Sequence, residues 1–376
     1  MKEQFRQYHL LNILNAGQFP EIPIDVYLKK YFHAHKALGP KDRKFLSESI
    51  YGMIRWRGLL DHLSNFSASW QDRFEIFSNI DPINYLEDAT IPLHRRLSCP
   101  QFLFDLLSKH YGEDKAIRLC LAFNEAAPTT IRINPLKISR EELFEKWSKE
   151  FSIALTSYSM LGIHFQKKIN FSALPDFKNG LFEVQDEGSQ LIATLIDAKP
   201  GNLVLDYCAG AGGKTLAFAH KLDQKGQIYL HDIRPSALLN AKKRLKRAGI
   251  QNAQILPFDS TYKNCLKKKM NWVLLDVPCS GSGTLRRNPD LKWKLSLETI
   301  QRLREEQRKI FEQAIEYLHP EGRIVYATCS ILPEENQEQL TYFQKHYSLA
   351  IDKPPFESLP EKNAMDGFFA AVLRRS

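Results

Sequence analysis

Cys279 and Cys329 stand fifty residues apart, each at the end of a short apolar run with strand character, WVLLDVP at 272–278 and RIVYATC at 323–329. Asp276 lies three residues before the first thiol. If both runs belong to one parallel sheet, the two sulfurs and the carboxylate meet at its carboxyl end, where such sheets bind their ligands. A lone cysteine on a strand commonly serves as a small buried hydrophobe. Two of them at following strand ends, beside an acid, suit covalent chemistry: a thiolate adds to an electron-poor ring carbon and the acid assists by proton transfer.

A second cluster precedes them. The run VLDYC at 204–208 leads into AGAGGKT at 209–215, where Gly210, Gly212 and Gly213 allow a tight turn and close approach of backbone to a ligand at a helix start. Counting excludes two glycine codes. A phosphate loop needs a glycine where Cys208 sits, and a dinucleotide fingerprint starting at Gly210 needs one where Thr215 sits. Asp232 closes the run QIYLHD (227–232) and Asp259 follows QILPF (254–258). A carboxylate at Asp232 could accept both ribose hydroxyls of a nucleoside cofactor, and Asp259 could receive an adenine amino group. Either acid alone could equally be a helix cap or a solvated turn residue; together, after successive strands, they point to an adenosyl ligand.

An adenosyl cofactor beside two thiols gives the thiols a purpose. Carbon 5 of cytosine is too weak a nucleophile to take a methyl group directly, so a thiolate adds first to carbon 6. An acid with raised pKa near ring nitrogen 3 assists that addition. Afterwards the carbon 5 proton must leave and the enzyme–base bond must break, which occupies a second thiol or base. The base must also be single stranded or turned out of a helix.

These residues need a scaffold that brings them together. From about residue 190 the five runs named above alternate with helical stretches such as 236–247 and 296–319, which means a mainly parallel sheet with helices on both sides. In the second helix Ile300, Leu303, Gln307, Ile310, Phe311, Ala314, Ile315 and Leu318 trace one face, interrupted only by the glutamine. After Ala127-Pro128 the pattern reads as a small α+β unit: a strand TIRIN at 130–134, a helix after an N-cap at Ser139, and strands near 161–165 and 181–184. The first 125 residues read as helical, with Phe45, Ile50, Met53, Ile54, Leu59, Leu60 and Leu63 on a buried face and Lys41, Arg43, Arg55 and Arg57 at its edges.

Composition sets the outer bounds. A length of 376 residues at 43% hydrophobic content suffices for a large domain with one or two smaller ones. No apolar run reaches membrane-spanning length and the start lacks a signal peptide's apolar core, so a soluble cytoplasmic protein, with no membrane partner, is the expectation. The net charge of +9 would attract a polyanion without choosing among RNA, DNA and anionic membrane. Six cysteines without CxxC spacing argue against a structural metal, and none is expected.

With these motifs in view, the chain resembles the bacterial Sun/Fmu and eukaryotic NOL1/Nop2 family of RNA cytosine-5 methyltransferases, on the side of the bacterial ribosomal RNA methyltransferase B-like members. FEVQDEGSQLIATLI (182–196) leading into VLDYCAGAGGKT, DVPCSGSGTLRRNPDLKW (276–293), YATCSILPEENQ (326–337) and DGFFAAVLRR (366–375) carry the likeness in family order. The resemblance implies a Rossmann-like S-adenosylmethionine-dependent methyltransferase domain at 178–376, a small α+β domain at 126–177 and a helical, partly NusB-like RNA-binding domain at 1–125. It implies Cys329 as nucleophile, Cys279 as the residue that releases product, Asp276 on the target base and Lys214 organising the site. Asp206, Cys208, Ala209, Gly210, Ala211, Gly212, Gly213, Lys214, Asp232, Asp259 and Asp276 would line the S-adenosylmethionine site. The commonest family form has Ala-Pro where this chain has Gly210-Ala211, which predicts altered stiffness of the turn.

The implied substrate is RNA, ribosomal in preference to transfer RNA, and a monomer is expected. Arg286 and Arg287, directly after the base-binding loop, are the preferred phosphate contacts, with Arg43, Arg55 and Arg57 of the helical head. Lys242, Lys243, Arg244, Lys246, Arg247 and Lys267 to Lys269 are expected to be ordinary solvent-exposed bases. Two rival readings use the same motifs: a DNA cytosine-5 methyltransferase with Cys279 as nucleophile, which leaves Cys329 unexplained, and a noncatalytic RNA-binding or ribosome-assembly factor.

Overall fold

A computed structural model describes residues 2–16, 22–66, 69–167, 169–256 and 262–376, without the side chains of 262 and 263. The chain divides into two compact units: 1–126 with 284–297 and 360–362, and 127–283 with 298–359 and 363–376.

Strand alternation builds the second unit. Its large sheet comprises β5 (Leu203–Asp206), β6 (Gln227–Leu230), β7 (Ala253–Ile255), β8 (Met270–Asp276), β9 (Leu318–Thr328), β10 (Leu349–Ser358) and β11 (Phe368–Arg375), in the order β10-β11-β9-β8-β5-β6-β7. Strands β5 to β9 pair in parallel, whereas β11 runs antiparallel to both β9 and β10. Because side chains alternate across a strand, Trp272, Leu274, Val325 and Ala327 enter one core with Val204 and Leu238. Val273, Leu275, Ile324 and Tyr326 enter the other with Leu205 and Phe311. Both faces are buried, which explains why these runs read as nearly continuous apolar segments.

The helix Pro235–Ala248 starts on a proline at its first turn, ends at Gly249 in the left-handed conformation (φ 79°), and buries Leu238, Ala241 and Leu245. Proline fits where the first amides lack partners, and glycine fits the left-handed cap. On the opposite face the helix Leu297–Ile315 buries Leu303, Gln307, Phe311 and Ala314. It stops short of the expected 319, since Leu318 already begins β9 and is fully buried there.

The same unit carries a four-stranded antiparallel sheet of β1 (Thr129–Ile133), β2 (Ile153–Leu155), β3 (Gly162–Phe165) and β4 (Phe182–Val184), ordered β2-β3-β1-β4. Its helix Arg140–Ser148 begins with the expected cap: the Ser139 hydroxyl accepts from the Glu142 amide while Glu142 reaches back to the Ser139 amide. Trp147, Phe165 and Phe182 pack edge to face in its core.

In the first unit, helices including Lys2–Asn15, Ile24–Ala34, Pro40–Arg55, Arg57–Leu63, Gln101–Tyr111 and Glu113–Asn124 are described. Ile50, Met53, Ile54, Leu59 and Leu60 are buried as expected, with Phe45 and Leu63 at the edge of the cluster. The segment 284–297, expected within the catalytic domain, belongs to this unit by its contacts. Lys292 is buried, with Nζ 3.0 Å from the Arg55 carbonyl and 2.7 Å from Asn124 Oδ1; burial pushes its pKa down to about 8. Trp293 Nε1 donates to the Ile54 carbonyl at 2.8 Å.

Candidate active site

The register of the parallel strands assembles the site. Asp276 at the end of β8 lies opposite Ala327 of β9, so the loops that follow leave the sheet side by side. The Cys279 and Cys329 sulfurs consequently stand 3.3 Å apart, both partly exposed. The Cys279 thiol hydrogen-bonds to Cys329 and holds it below the ordinary thiol range despite burial, with Lys214 adding to the effect. The same bond, together with burial, pushes Cys279 up. Of the two sulfurs, Cys329 is thereby the one favoured as thiolate.

Lys214 ties the glycine turn to this pair. Its buried ammonium lies 2.5 Å from Asp276 Oδ2. Behind the cysteines is a polar network that the sequence did not announce. Fully buried Glu335 accepts from the Ser280 amide at 2.8 Å and from its hydroxyl at 2.5 Å, while Gln307 Nε2 reaches both Glu335 and the Pro278 carbonyl at 3.0 Å. Ser282 and Ser330 meet at 2.9 Å, and the Gly283 amide donates to the Cys329 carbonyl at 3.0 Å. The only sequence signal for this network was the glutamine on an otherwise apolar helix face. Buried, that amide makes hydrogen bonds which fix two loops at once.

On the cofactor side the turn 207–212 carries β5 into the helix Gly213–Phe218, with Gly210 and Gly212 at positive φ (53° and 74°). A cleft of about 1130 Å³ runs from this turn to the cysteines and is lined by Asp206, Cys208, Gly210, Asp232, Asp276 and Cys279 among others. Asp232 takes the Gly210 amide at 2.7 Å and the Arg234 amide at 2.8 Å, and its outer side holds the exposed Arg234 guanidinium. Burial would raise its carboxyl, but these bonds outweigh that and hold it below the usual carboxylate range. Asp259 lies outside the described residues.

Asp206 is 1% exposed; Thr215 donates to its Oδ2 at 2.6 Å, while its Oδ1 has no partner among the described residues. An orphaned carboxylate oxygen in this wall fits a cationic ligand group such as the ammonium of an amino-acid moiety. Burial, opposed by the Thr215 bond, pushes its pKa from 3.8 up to about 7. A carboxyl that holds its proton more tightly folded than unfolded stabilises the fold fully below pH 3.8, and that stabilisation is lost as pH rises through about 7. Without ligand, the wild type should therefore lose on the order of 4 kcal/mol relative to Asp206→Asn between those limits. Urea denaturation of both proteins from pH 4.5 to 7.5 measures this, and parallel stability curves would remove the assigned proton.

The expected phosphate contacts fare unevenly. Arg286 is only 1% exposed and donates to the Glu361 carbonyl at 2.8 Å, so its guanidinium is spent on the internal order of the first unit. Arg55 donates to the Arg286 carbonyl at 3.1 Å and lies over Tyr51; Arg43 donates to the Leu38 carbonyl at 2.8 Å and lies over Phe32. Arg57, with a side chain 40% exposed near Asp61, and half-buried Arg287 retain partial access. Arg244 and Arg247 are not ordinary solvent-exposed bases: both are partly buried against Glu183.

A Rossmann-like sheet with an antiparallel final pair, a glycine turn after β5 and an acid after β6 defines a methyltransferase fold that uses S-adenosylmethionine. The family model "16S rRNA methyltransferase RsmB/F" matches residues 193–374, and that of the RsmF/B-like ferredoxin-like domain matches 99–172. A probable ribosomal RNA small subunit methyltransferase B of Synechocystis is 32% identical, covering 98% of this chain and 98% of its own. The chain belongs to the RsmB/F family of RNA methyltransferases, and S-adenosylmethionine is its cofactor. Among solved structures, PH0851 covers 97% of this chain and 97% of its own with TM-score 0.82 at 23% identity. NSun6 from Pyrococcus horikoshii, crystallised with SFG, covers 73% of this chain and 98% of its own with TM-score 0.66 at 21% identity. At those identities the likeness is one of fold. No helix among the described residues is long and apolar enough to cross a membrane.

Proposed function

We propose that this protein methylates carbon 5 of a cytosine in small-subunit ribosomal RNA through a covalent adduct at carbon 6. The observation that carries the reading is the pair of sulfurs 3.3 Å apart in the cleft beside Asp276. An enzyme that methylates an exocyclic or already nucleophilic atom has no need of two thiols. The names of the curated relatives supply the ribosomal substrate.

In this reading Cys329 Sγ bonds to carbon 6, and the carbon 5–carbon 6 π electrons move into the ring toward nitrogen 3, where the Lys214–Asp276 pair lends a proton that returns to it when the ring is restored. Lys214, 2.5 Å from Asp276, orients that carboxyl. The glycine turn, Asp206 and Asp232 would hold S-adenosylmethionine, which would supply the methyl group for the now nucleophilic carbon 5. The carbon 5 proton passes to a water molecule acting as base, its electron pair forms the carbon 5–carbon 6 double bond, the carbon 6–sulfur bond breaks with its pair returning to Cys329 as thiolate, and nitrogen 3 gives back its proton. Cys279, in contact with the leaving sulfur, assists that last step by proton transfer.

The test is transfer from labelled cofactor into unmodified small-subunit ribosomal RNA and into assembled particles, followed by nucleoside digestion and mass spectrometry. Label in 5-methylcytidine is expected. Label confined to another nucleoside, or efficient transfer only to DNA or transfer RNA, would overturn the reading.

A further inference from the structure

The glycine turn that receives the cofactor contains no proline and places Gly210 and Gly212 in left-handed backbone on either side of Ala211. Such a sequence is intrinsically loose, because glycine loses more conformational freedom on ordering than any other residue. Yet its peptide planes are pinned at both ends. In the plane joining residues 209 and 210, the Ala209 carbonyl accepts from the Gly212 amide at 2.8 Å and the Gly210 amide donates to Asp232 at 2.7 Å. In the plane joining 211 and 212, the amide is held by that same Gly212 bond, and the carbonyl of Ala211 accepts from Arg244 Nη1 at 2.7 Å.

Arg244 is well placed for this because its other edge is fixed. Nη2 and Nε lie 3.0 and 3.3 Å from Glu183 Oε2, and the second oxygen of Glu183 is taken by Arg247 at 2.5 Å. Glu183 is 6% exposed and sits on β4 opposite Arg132 of β1. The small sheet thus anchors a rigid planar fork whose remaining N–H points at the turn. A parallel link uses Gln185, which accepts from Arg132 at 2.7 Å and reaches the Gly213 carbonyl at 3.4 Å.

We infer that Arg244 is a positioning residue for S-adenosylmethionine: anchored by Glu183, it locks the 211–212 peptide and supplies the order that the turn's own sequence lacks. Without that lock, the cofactor must order the turn as it binds, and its affinity falls. Arg244 bonds to Ala211 and Glu183 and to none of the reacting groups, so the chemical step is left alone. The inference concerns the cofactor only and stands or falls independently of the cytosine chemistry.

Titration calorimetry of the full chain with S-adenosylmethionine tests it, using Arg244→Met and Arg244→Lys. Loss of one charge-assisted hydrogen bond predicts Kd weaker by about tenfold in Arg244→Met. The lysine variant keeps a charge for Glu183 but offers no planar fork for both partners, so it should fall between wild type and Arg244→Met. In steady-state assays on RNA, KM for the cofactor should rise with kcat nearly unchanged. A merely structural role would lower the melting temperature and leave Kd and KM in place, and that result overturns the inference. If Arg244→Met does not fold, an unchanged Kd in folded Arg244→Lys overturns it equally.

Discussion

Cys329→Ala should abolish methyl transfer and any covalent protein–RNA adduct, whereas Cys279→Ala should form the adduct and fail to release it. The two thiols differ this sharply because their surroundings push them in opposite directions: the contact and burial raise Cys279, while the contact and Lys214 lower Cys329. Only the sulfur that carries negative charge can attack carbon 6. Removing Cys279 takes away a stabilising hydrogen bond from Cys329, so adduct formation should slow, but Lys214 and its own partial exposure leave a competent nucleophile. A denaturing gel after incubation with substrate RNA and S-adenosylmethionine, with mass spectrometry of the bound nucleotide, reads both outcomes. An adduct on Cys279 in Cys329→Ala, with none in Cys279→Ala, would reverse the roles and favour the DNA-type arrangement.

The largest effect expected away from the reacting groups is at Gly283. Its amide donates to the Cys329 carbonyl at 3.0 Å and its carbonyl accepts from the Gly367 amide at 2.9 Å, so it joins the two cysteine loops to the start of β11. A Cβ built at Gly283 would overlap the Gly367 carbonyl, which is backbone and cannot rotate aside. Gly283→Ala should therefore destabilise the protein by on the order of 3 kcal/mol. It should also lower the rate of methyl transfer roughly a hundredfold in the surviving folded protein, since displacements near 1 Å between reacting groups have effects of that size. Urea denaturation and single-turnover rates at saturating cofactor separate the two losses. A variant with wild-type stability and rate would show that the loops tolerate separation and that the tie does not matter.

Much of the fold was legible because its signals are local. Five apolar runs of strand length, separated by amphipathic helices, required a parallel sheet; β5, β6, β7 and β8 fall within three residues of them, and β9 starts five residues earlier than its run. The strands β10 and β11 were not foreseen. KPPF at 353–356 carries two prolines, which argue against a strand interior, yet β10 is the sheet's edge strand and its pairing shifts register around those residues. The small strand β2 escaped notice because three residues carry too little periodicity to recognise.

For the site, the sequence by itself determined which chemical groups are present and that they follow successive strands: both thiols, Asp276, the glycine turn, Lys214 and Asp232. Only the tertiary structure decided their partnerships. It brought the sulfurs to 3.3 Å, hid Arg286 from any phosphate, and turned Arg244 from an expected surface base into a clamp on the Ala211 carbonyl. It also put Gln307 and Glu335 behind the cysteine loops. The reason is physical. Strand periodicity fixes the end of the sheet at which a residue emerges, because side-chain alternation and parallel register are properties of the backbone. Which charge is buried, and against what, depends on packing between segments distant in sequence, such as Glu183 with Arg244 or Ser280 with Glu335, and no local pattern encodes those pairings.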